Sequence, residues 1–454
     1  MMRIVLRVLI GLLAVLLLLV AGAATYLIVA PPELLRVATG YSAKIVCSNV
    51  FLANRDPDAV LALDVQAPGH WLLKYVRVNA DVSAGTVTAR LLGLFATSTA
   101  IHRTGIGCAS VPDGNIAAAQ TVQLPVAPQL TPPPSDEVWP AGGRIEPMAT
   151  PALADILGNP ELTGQGMRAV VVVHGGKIVA ETYGEGFGAD TPLLGWSMTK
   201  TVNAALIGRL MADGKIGLED ASLLPEWTDA RKDISLADLL GMESGLAFNE
   251  DYGDVSDVNR MMFLEPDMAG FAASQPQVAP AGAAFNYSSG TGTVLARIWM
   301  NRIGDPAVAL AYPRTALFDP LGMTSAQIEA DEHGTLVGSS YMYATARDWA
   351  RLGLFLLQDG IWNGTPLLPP GFVARMNTSN GLPGHYSEMQ SWLDINDDDA
   401  AMGVPADAYW LVGHDGQSIA IVPSEDLVVV RMGLTPSKLG YGPERLVKAL
   451  ADAT

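Results

Sequence analysis

The chain has 454 residues, 49% hydrophobic and 16% charged, with a formal net charge of −18. That length supports two folded units with a sizeable core. An acidic chain with 28 Lys and Arg residues and no dense basic run is a poor candidate for nucleic-acid binding.

In chain order, Arg3 and Arg7 precede VLIGLLAVLLLLVAGAATYLIV, Val8 to Val29, which carries no charged side chain. At ~1.5 Å rise per residue this run spans about 33 Å, enough to cross a bilayer core of roughly 30 Å. A cleaved signal peptide is the rival reading, with AGA at Ala21–Ala23 as the small-residue site. Signal cores are shorter, ~7–15 apolar residues. The run continues through Tyr26–Val29, which favours an uncleaved single-pass anchor over residues 1–30 in the cytoplasmic membrane. Arg3, Arg7 and the terminal amine point the N-terminus to the cytoplasm, and Arg36 and Lys44 beyond the span make that bias slight. The remainder is then expected on the extracytoplasmic, periplasmic side.

Residues 31–125 read as a small extracytoplasmic segment. VRVNADVSAGTVTARLLGLFATSTAIHR, from Val76, is rich in Val, Thr and Ala and predicts a few short strands. The two cysteines of the chain, Cys47 and Cys108, both fall here, and export predicts that they form a disulfide. VAPQLTPPPSDEVWPAGG, residues 126–143, follows as a proline-rich linker. Residues 144–454 are expected to form the second unit.

Within it, MRAVVVVHGGKIVAETYG from Met167 predicts a hairpin, with His174 at its turn in a structural role. Ser197 to Ala212 predicts a helix with Val202, Leu206 and Leu210 on one stripe and Gly214 just past its end. A polar, loop-rich middle follows. YWLVGHDGQSIAIVPSEDLVVVRMG, from Tyr409, predicts consecutive strands, and ERLVKALADA a last helix. Strands near both ends with helices between them imply one sheet built from both ends of the unit, with a mostly helical insert.

Three short stretches carry candidate chemistry. GWSMTK places Ser197 and Lys200 three residues apart at a helix start, hence on one face. A lysine of lowered pKa can activate a serine hydroxyl, and the helix N-terminus favours a developing oxyanion. In AGAAFNYSSGTGTVLARIW, Tyr287 stands at a loop–helix junction, where it could relay a proton or simply pack. In LVGHDGQSIAIVP, glycines flank His414 and Asp415; they allow close approach of a substrate to backbone N–H groups, or mark a polar hairpin turn.

Together these stretches resemble, in order, the Ser-x-x-Lys, Tyr-x-Asn and Lys-Thr-Gly motifs of the penicillin-recognising serine hydrolases. From near Trp139 to the end, the chain is most similar to their class C β-lactamase-like branch, with its esterases and 6-aminohexanoate-dimer hydrolases. DGKIGLEDASLLPEW, LLGMESGLAFNEDYGD, GTLVGSSYMYATARDWARLG and PSEDLVVVRMG add to the likeness. The resemblance implies an α+β, β-lactamase/transpeptidase-like fold: an antiparallel sheet flanked by helices, plus a mostly helical subdomain. It implies Ser197 as acylated nucleophile, Lys200 as base and Tyr287 as proton relay. The oxyanion hole would combine the N–H of Ser197 with that of the residue after the third motif's glycine. That residue is His414 if the motif is LVG, Leu411–Gly413, and Gln417 if it is HDG; the strand that follows favours His414. Tyr252, Ser289 and Gly413 would contact substrate.

Two departures bear on activity. Ser289 stands where β-lactamases carry asparagine, and the third motif lacks its lysine in either register. Both argue against a strong β-lactamase or D-Ala peptidase and fit hydrolysis of esters or small amides. A third reading is a membrane sensor that is acylated once without turnover. The chain has no Gly-x-Ser-x-Gly elbow, so an α/β-hydrolase layout is not expected. No metal, cofactor or nucleotide is expected either: there is no His-Glu-x-x-His, the six histidines are scattered, and the Gly-rich runs GEGFG and SGTGTV fit no phosphate loop.

Overall fold

The computed structural model describes residues 2–124, 136–148, 150–395, 399 and 401–454. Helix α1, Met2–Val29, has 28 residues and a mean hydropathy of 3.0 over its most apolar window, none of it buried. It is long and apolar enough to cross a membrane, and a signal sequence meets the same test.

Helix α2, Glu33–Ala53, begins four residues later. Four antiparallel strands follow in sequential order: β1 (Val76–Asp81), β2 (Thr86–Leu91), β3 (Phe95–Arg103) and β4 (Gly107–Ser110). Helix α2 lies across this sheet and is buried from Val37 to Gly40 and again from Ser42 to Asn49. The disulfide joins Cys47 of α2 to Cys108 of β4 at a Cα–Cα distance of 6.1 Å. Of the proline-rich stretch 126–143, residues 126–135 lie outside the described residues.

The second sheet has five antiparallel strands in the order β7-β8-β9-β5-β6. Strands β5 (Met167–His174) and β6 (Lys177–Tyr183) form the N-terminal hairpin. Strands β7 (Tyr409–Gly413), β8 (Gln417–Val422) and β9 (Leu427–Gly433) come from the C-terminal end. They join where Val430 of β9 pairs with Val171 of β5. Because side chains alternate along a strand, Val171, Val173, Ile419 and Val430 face one core while Val170, Val172, Ala420 and Val429 face another. The sheet is thus covered on both faces, which explains its near-continuous valine runs.

Helix α3 (Thr199–Ala212) is buried at every position from Thr199 to Gly208. The expected single stripe through Val202, Leu206 and Leu210 understates this. The helix is central, and a helix enclosed on all sides has no polar face. Around it lie α4 (Asp257–Leu264), α5 (Ser289–Ile303) and α6 (Ala346–Leu357). Helix α6 covers β8, β9 and β5. Its Gly353 is required, since a Cβ there would lie 2.5 Å from Val428. Helix α7 (Pro443–Ala451) covers the opposite face through Leu446, Val447 and Leu450.

Candidate active site

Ser197 lies in a single 3₁₀ turn, Trp196–Met198, that runs directly into α3. The approach to it is tightly constrained. Leu193 and Leu194 pair with Ala344 and Tyr343, and the Gly195 N–H donates to the Met342 carbonyl at 2.9 Å. A Cβ on Gly195 would sit 2.3 Å from the Trp349 ring. Trp196 takes a φ of 49°, a left-handed conformation that costs a bulky residue on the order of 1–3 kcal/mol. Packing of its ring near Tyr341 and His414, at centroid distances of 6.1 and 5.8 Å, holds it there. The turn leaves Ser197 partly exposed while both chain neighbours are buried.

One helical turn on, Lys200 is buried. Its Nζ lies 3.0 Å from Ser197 Oγ and 3.0 Å from Ser289 Oγ, and donates to the Ser339 carbonyl at 3.1 Å. Burial pushes its pKa down from 10.5 to about 8, against an opposing pull from the Glu250 carboxylate. Ser289 is the first residue of α5, where the loop gives way to a buried helix. It donates its hydroxyl to Glu250 Oε1 at 2.5 Å, and its N–H to Oε2 at 2.8 Å. Serine–lysine–serine–carboxylate is therefore one continuous hydrogen-bonded chain.

Tyr287 completes the cluster. Its ring lies 4.7 Å from Lys200 Nζ and its hydroxyl interacts with the Ser197 side chain. Burial first, and Glu250 second, hold that hydroxyl well above the ordinary tyrosine range, so it stays protonated. Tyr386 and Trp392 pack around its ring at 5.7 and 5.1 Å. Tyr252 donates its hydroxyl to Glu250 Oε1 at 3.1 Å, and its ring lies 4.9 Å from that of His414.

Gly413 ends strand β7 and pairs with Gln417 across the turn. A Cβ on Gly413 would lie 2.2 Å from the Gly195 carbonyl, so the strand end touches the segment that leads into Ser197. Gly416, the glycine of the HDG register, instead faces Arg431 and Tyr441. Gln417 is buried: its side chain donates to the His414 and Gly433 carbonyls at 3.0 and 2.6 Å and accepts from the Gly433 N–H at 2.8 Å. Those bonds fasten the turn. His414 is exposed, with Nε2 3.5 Å from Asp415 Oδ1.

Ser197, Lys200, Tyr287 and Ser289 thus converge on one point, with Tyr252, His414 and Gly413 at its edge. Glu250 is absent from the sequence reasoning. It lies two residues before Tyr252 in an acidic loop, NEDYGD, where its only signal is that neighbourhood. The Ser339 carbonyl and the Tyr386–Trp392 cage are likewise absent, since a carbonyl has no sequence signature. Among the described residues no group of three His, Cys, Asp or Glu side chains is placed to hold a metal ion.

Residues 161–448 match the family model described as Beta-lactamase. The 6-aminohexanoate-dimer hydrolase of Paenarthrobacter ureafaciens is 26% identical over 298 residues, 59% of this chain and 72% of that protein. Among solved structures, a penicillin-binding protein homolog from Caulobacter crescentus superposes with a TM-score of 0.52 at 18% identity, over 67% of this chain and 97% of the other. EstCE1, a hydrolase with promiscuous acyltransferase activity, gives 0.53 at 17% identity, over 66% and 97%. These structures share the α+β fold. The family match spans more than half of the chain and contains every member of the Ser197 cluster, so the chain belongs to the beta-lactamase family.

Proposed function

We propose that this hydrolase of the beta-lactamase family cleaves esters or small amides through an acyl-enzyme on Ser197. The observation that carries the reading is the buried Lys200 amine, 3.0 Å from Ser197 Oγ and shifted to about 8. In its neutral form the amine takes the hydroxyl proton as Oγ attacks the substrate carbonyl. The N–H groups of Ser197 and His414 would stabilise the oxyanion. As the intermediate collapses, Tyr287 passes a proton to the departing alkoxide or amine, and the ester bond to Ser197 remains. Water then attacks that ester, giving the carboxylic acid and restoring the serine. Tyr252, Ser289 and Gly413 would border the bound substrate.

Names among the relatives support this side of the family: a 6-aminohexanoate-dimer hydrolase and EstCE1. The Ser289 substitution, the missing third-motif lysine and the Glu250 carboxylate all weigh against a β-lactamase or D-Ala peptidase, whose substrates carry a carboxylate. The apolar α1 supports anchoring in the cytoplasmic membrane, and the disulfide supports an oxidising, extracytoplasmic placement of the hydrolase.

The test uses p-nitrophenyl acetate and a chromogenic cephalosporin with wild type and Ser197→Ala. Multiple turnovers on the ester, lost in Ser197→Ala, are expected. Undiminished hydrolysis by Ser197→Ala removes the mechanism. Steady cephalosporin turnover revives the β-lactamase reading. A single burst equal to the enzyme present identifies a sensor.

A further inference from the structure

A cavity of about 540 Å³ opens beside the Ser197 cluster. Its lining includes Trp196, Tyr252 and His414, while Ser197, Lys200 and Tyr287 stand outside it. One wall is the turn between β7 and β8. The opposite wall does not come from the hydrolase unit. It consists of Leu34, Val37 and Tyr41 of α2, and of Leu72 and Leu73 from the 3₁₀ turn Trp71–Tyr75. Phe263 of α4 lies between the walls, edge-on to Tyr41 at 5.7 Å.

This N-terminal wall is rigidly held. A Cβ on Gly40 of α2 would lie only 3.1 Å from Phe263 Cβ, so the two helices touch backbone to backbone. Lys44 forms a buried ion pair with Glu329, which also accepts from Ser48 at 2.9 Å and from the Cys108 N–H at 2.6 Å. Asp64 binds Arg55 at 2.8 Å and Arg168 of β5 at 2.7 Å. The segment is therefore part of the cleft rather than a spacer.

The size falls in the range of ligand pockets, about 300–1,000 Å³, and open apolar surface of this kind is retained where something binds. Asp254 and Asp415 on the polar side disfavour an anionic head group. The approach is equally telling. Leu34 follows the end of α1 by five residues, and α1 packs near β3. In the same N-terminal unit, Trp71 and Leu94 are 60% and 68% exposed; an exposed Trp suits a membrane interface.

We propose that residues 31–75 form the acyl-chain site of this enzyme, and that its substrates are uncharged esters of medium or long acyl chains drawn from the bilayer. This rests on the acyl-enzyme reading above. The carbonyl sits at Ser197, and the chain runs past His414 and Tyr252 into the cavity between α2 and Phe263. Ordering of the N-terminal segment on the hydrolase is then a condition for recognising such chains.

The experiment uses the full chain in phosphatidylethanolamine–phosphatidylglycerol vesicles, with p-nitrophenyl esters from acetyl to decanoyl. For wild type, kcat/KM rises with chain length by up to roughly fourfold per methylene. Leu34→Asp changes an exposed residue and so leaves the fold intact. It lowers the decanoyl-to-acetyl ratio of kcat/KM by roughly tenfold or more, and Val37→Phe, which fills the cavity without adding polarity, does the same. A flat or falling chain-length profile alongside Ser197-dependent acetate hydrolysis overturns the inference and leaves the hydrolase reading standing. An unchanged ratio in both variants overturns it as well. If no ester is turned over through Ser197, the hydrolase reading falls and the cavity is judged by binding of N-dansyldecylamine to Ser197→Ala. Saturable binding weakened in Leu34→Asp supports the pocket; no saturable binding overturns it. A rate that follows the ester's mole fraction in the vesicle supports the bilayer as source. A rate that follows its aqueous concentration overturns that part.

Discussion

Replacing Glu250 by glutamine isolates the electrostatics that set the Lys200 amine. The amine sits near 8 because burial disfavours its charged form, and the Glu250 carboxylate pulls the other way. At pH 7 such an amine is neutral in roughly one molecule in eleven, against about one in 3,000 for an ordinary lysine. Burial therefore supplies about 300-fold more competent base. If Lys200 is the base, kcat/KM for an uncharged ester rises close to tenfold per pH unit below about 8 and levels off above it. Glutamine keeps the size of Glu250 and can still accept from the Ser289 N–H, but it removes the negative charge that favours the ammonium. The pKa then falls, and the acid limb moves to lower pH. The assay is ester hydrolysis from pH 6 to 9.5 by wild type and Glu250→Gln. Stability gives a second readout. With a folded pKa near 8 and an unfolded one near 10.5, the unfolded state holds more protons between these values. Resistance to urea should therefore rise with pH through that window, by up to roughly 3 kcal/mol in total from this group. A flat rate profile from pH 6 to 9, or a limb that stays fixed or moves upward in Glu250→Gln, would refute the reasoning.

Three other perturbations test separate parts of the account. Tyr287→Phe keeps the ring within the Tyr386–Trp392 cage but removes the relayed proton; ester kcat should drop by roughly 10²–10⁴-fold, with circular dichroism unchanged. Lys44→Met strands the Glu329 carboxylate in the interior, and urea unfolding should show a loss of roughly 3–5 kcal/mol. Reduction of the Cys47–Cys108 disulfide, whose ends are 61 residues apart, should cost roughly 2–4 kcal/mol in the same assay, with acetate hydrolysis less affected than decanoate.

The Ser197–Lys200 contact of the candidate site was legible because its spacing encodes geometry. Ser197 and Lys200, three residues apart, lie one helical turn apart in every α-helix, so their contact follows from the spacing once the helix is granted. The β-branched runs of β5 and β9 predicted strands and one sheet built from both ends of the unit, though not its strand order. Helix α2 was not legible: ELLRVATGYSAKIVCSNVFLA mixes small, apolar and polar residues without a stripe, and the structure buries it on nearly every side. Its lysine is tolerable there only because Glu329, nearly 300 residues away, meets it. Glu250 escaped notice for a related reason. A carboxylate in an acidic loop is usually solvated, and only the fold shows that this one accepts two bonds from Ser289.

The missing third-motif lysine and the Glu250 carboxylate have one electrostatic consequence. Where the resemblance calls for a lysine, at Leu411 of strand β7 in the LVG register, this chain has none. Glu250 brings a negative charge to Ser289 instead, and Asp254 and Asp415 line the neighbouring cavity. A substrate carboxylate about 6 Å from one such charge, at an effective dielectric near 20, meets a repulsion of roughly 3 kcal/mol, or about 100-fold in affinity. The chain's net charge of −18 adds to this at long range. An uncharged ester meets none of it and still reaches the proposed nucleophile, base and relay, Ser197, Lys200 and Tyr287. Penicillins and peptide C-termini carry the charge that this arrangement disfavours, so the proposed function predicts faster turnover of uncharged acyl esters than of either. On the proposed function, selectivity of that kind rests on the missing third-motif lysine and on the Glu250 carboxylate beside the Ser197–Lys200 pair.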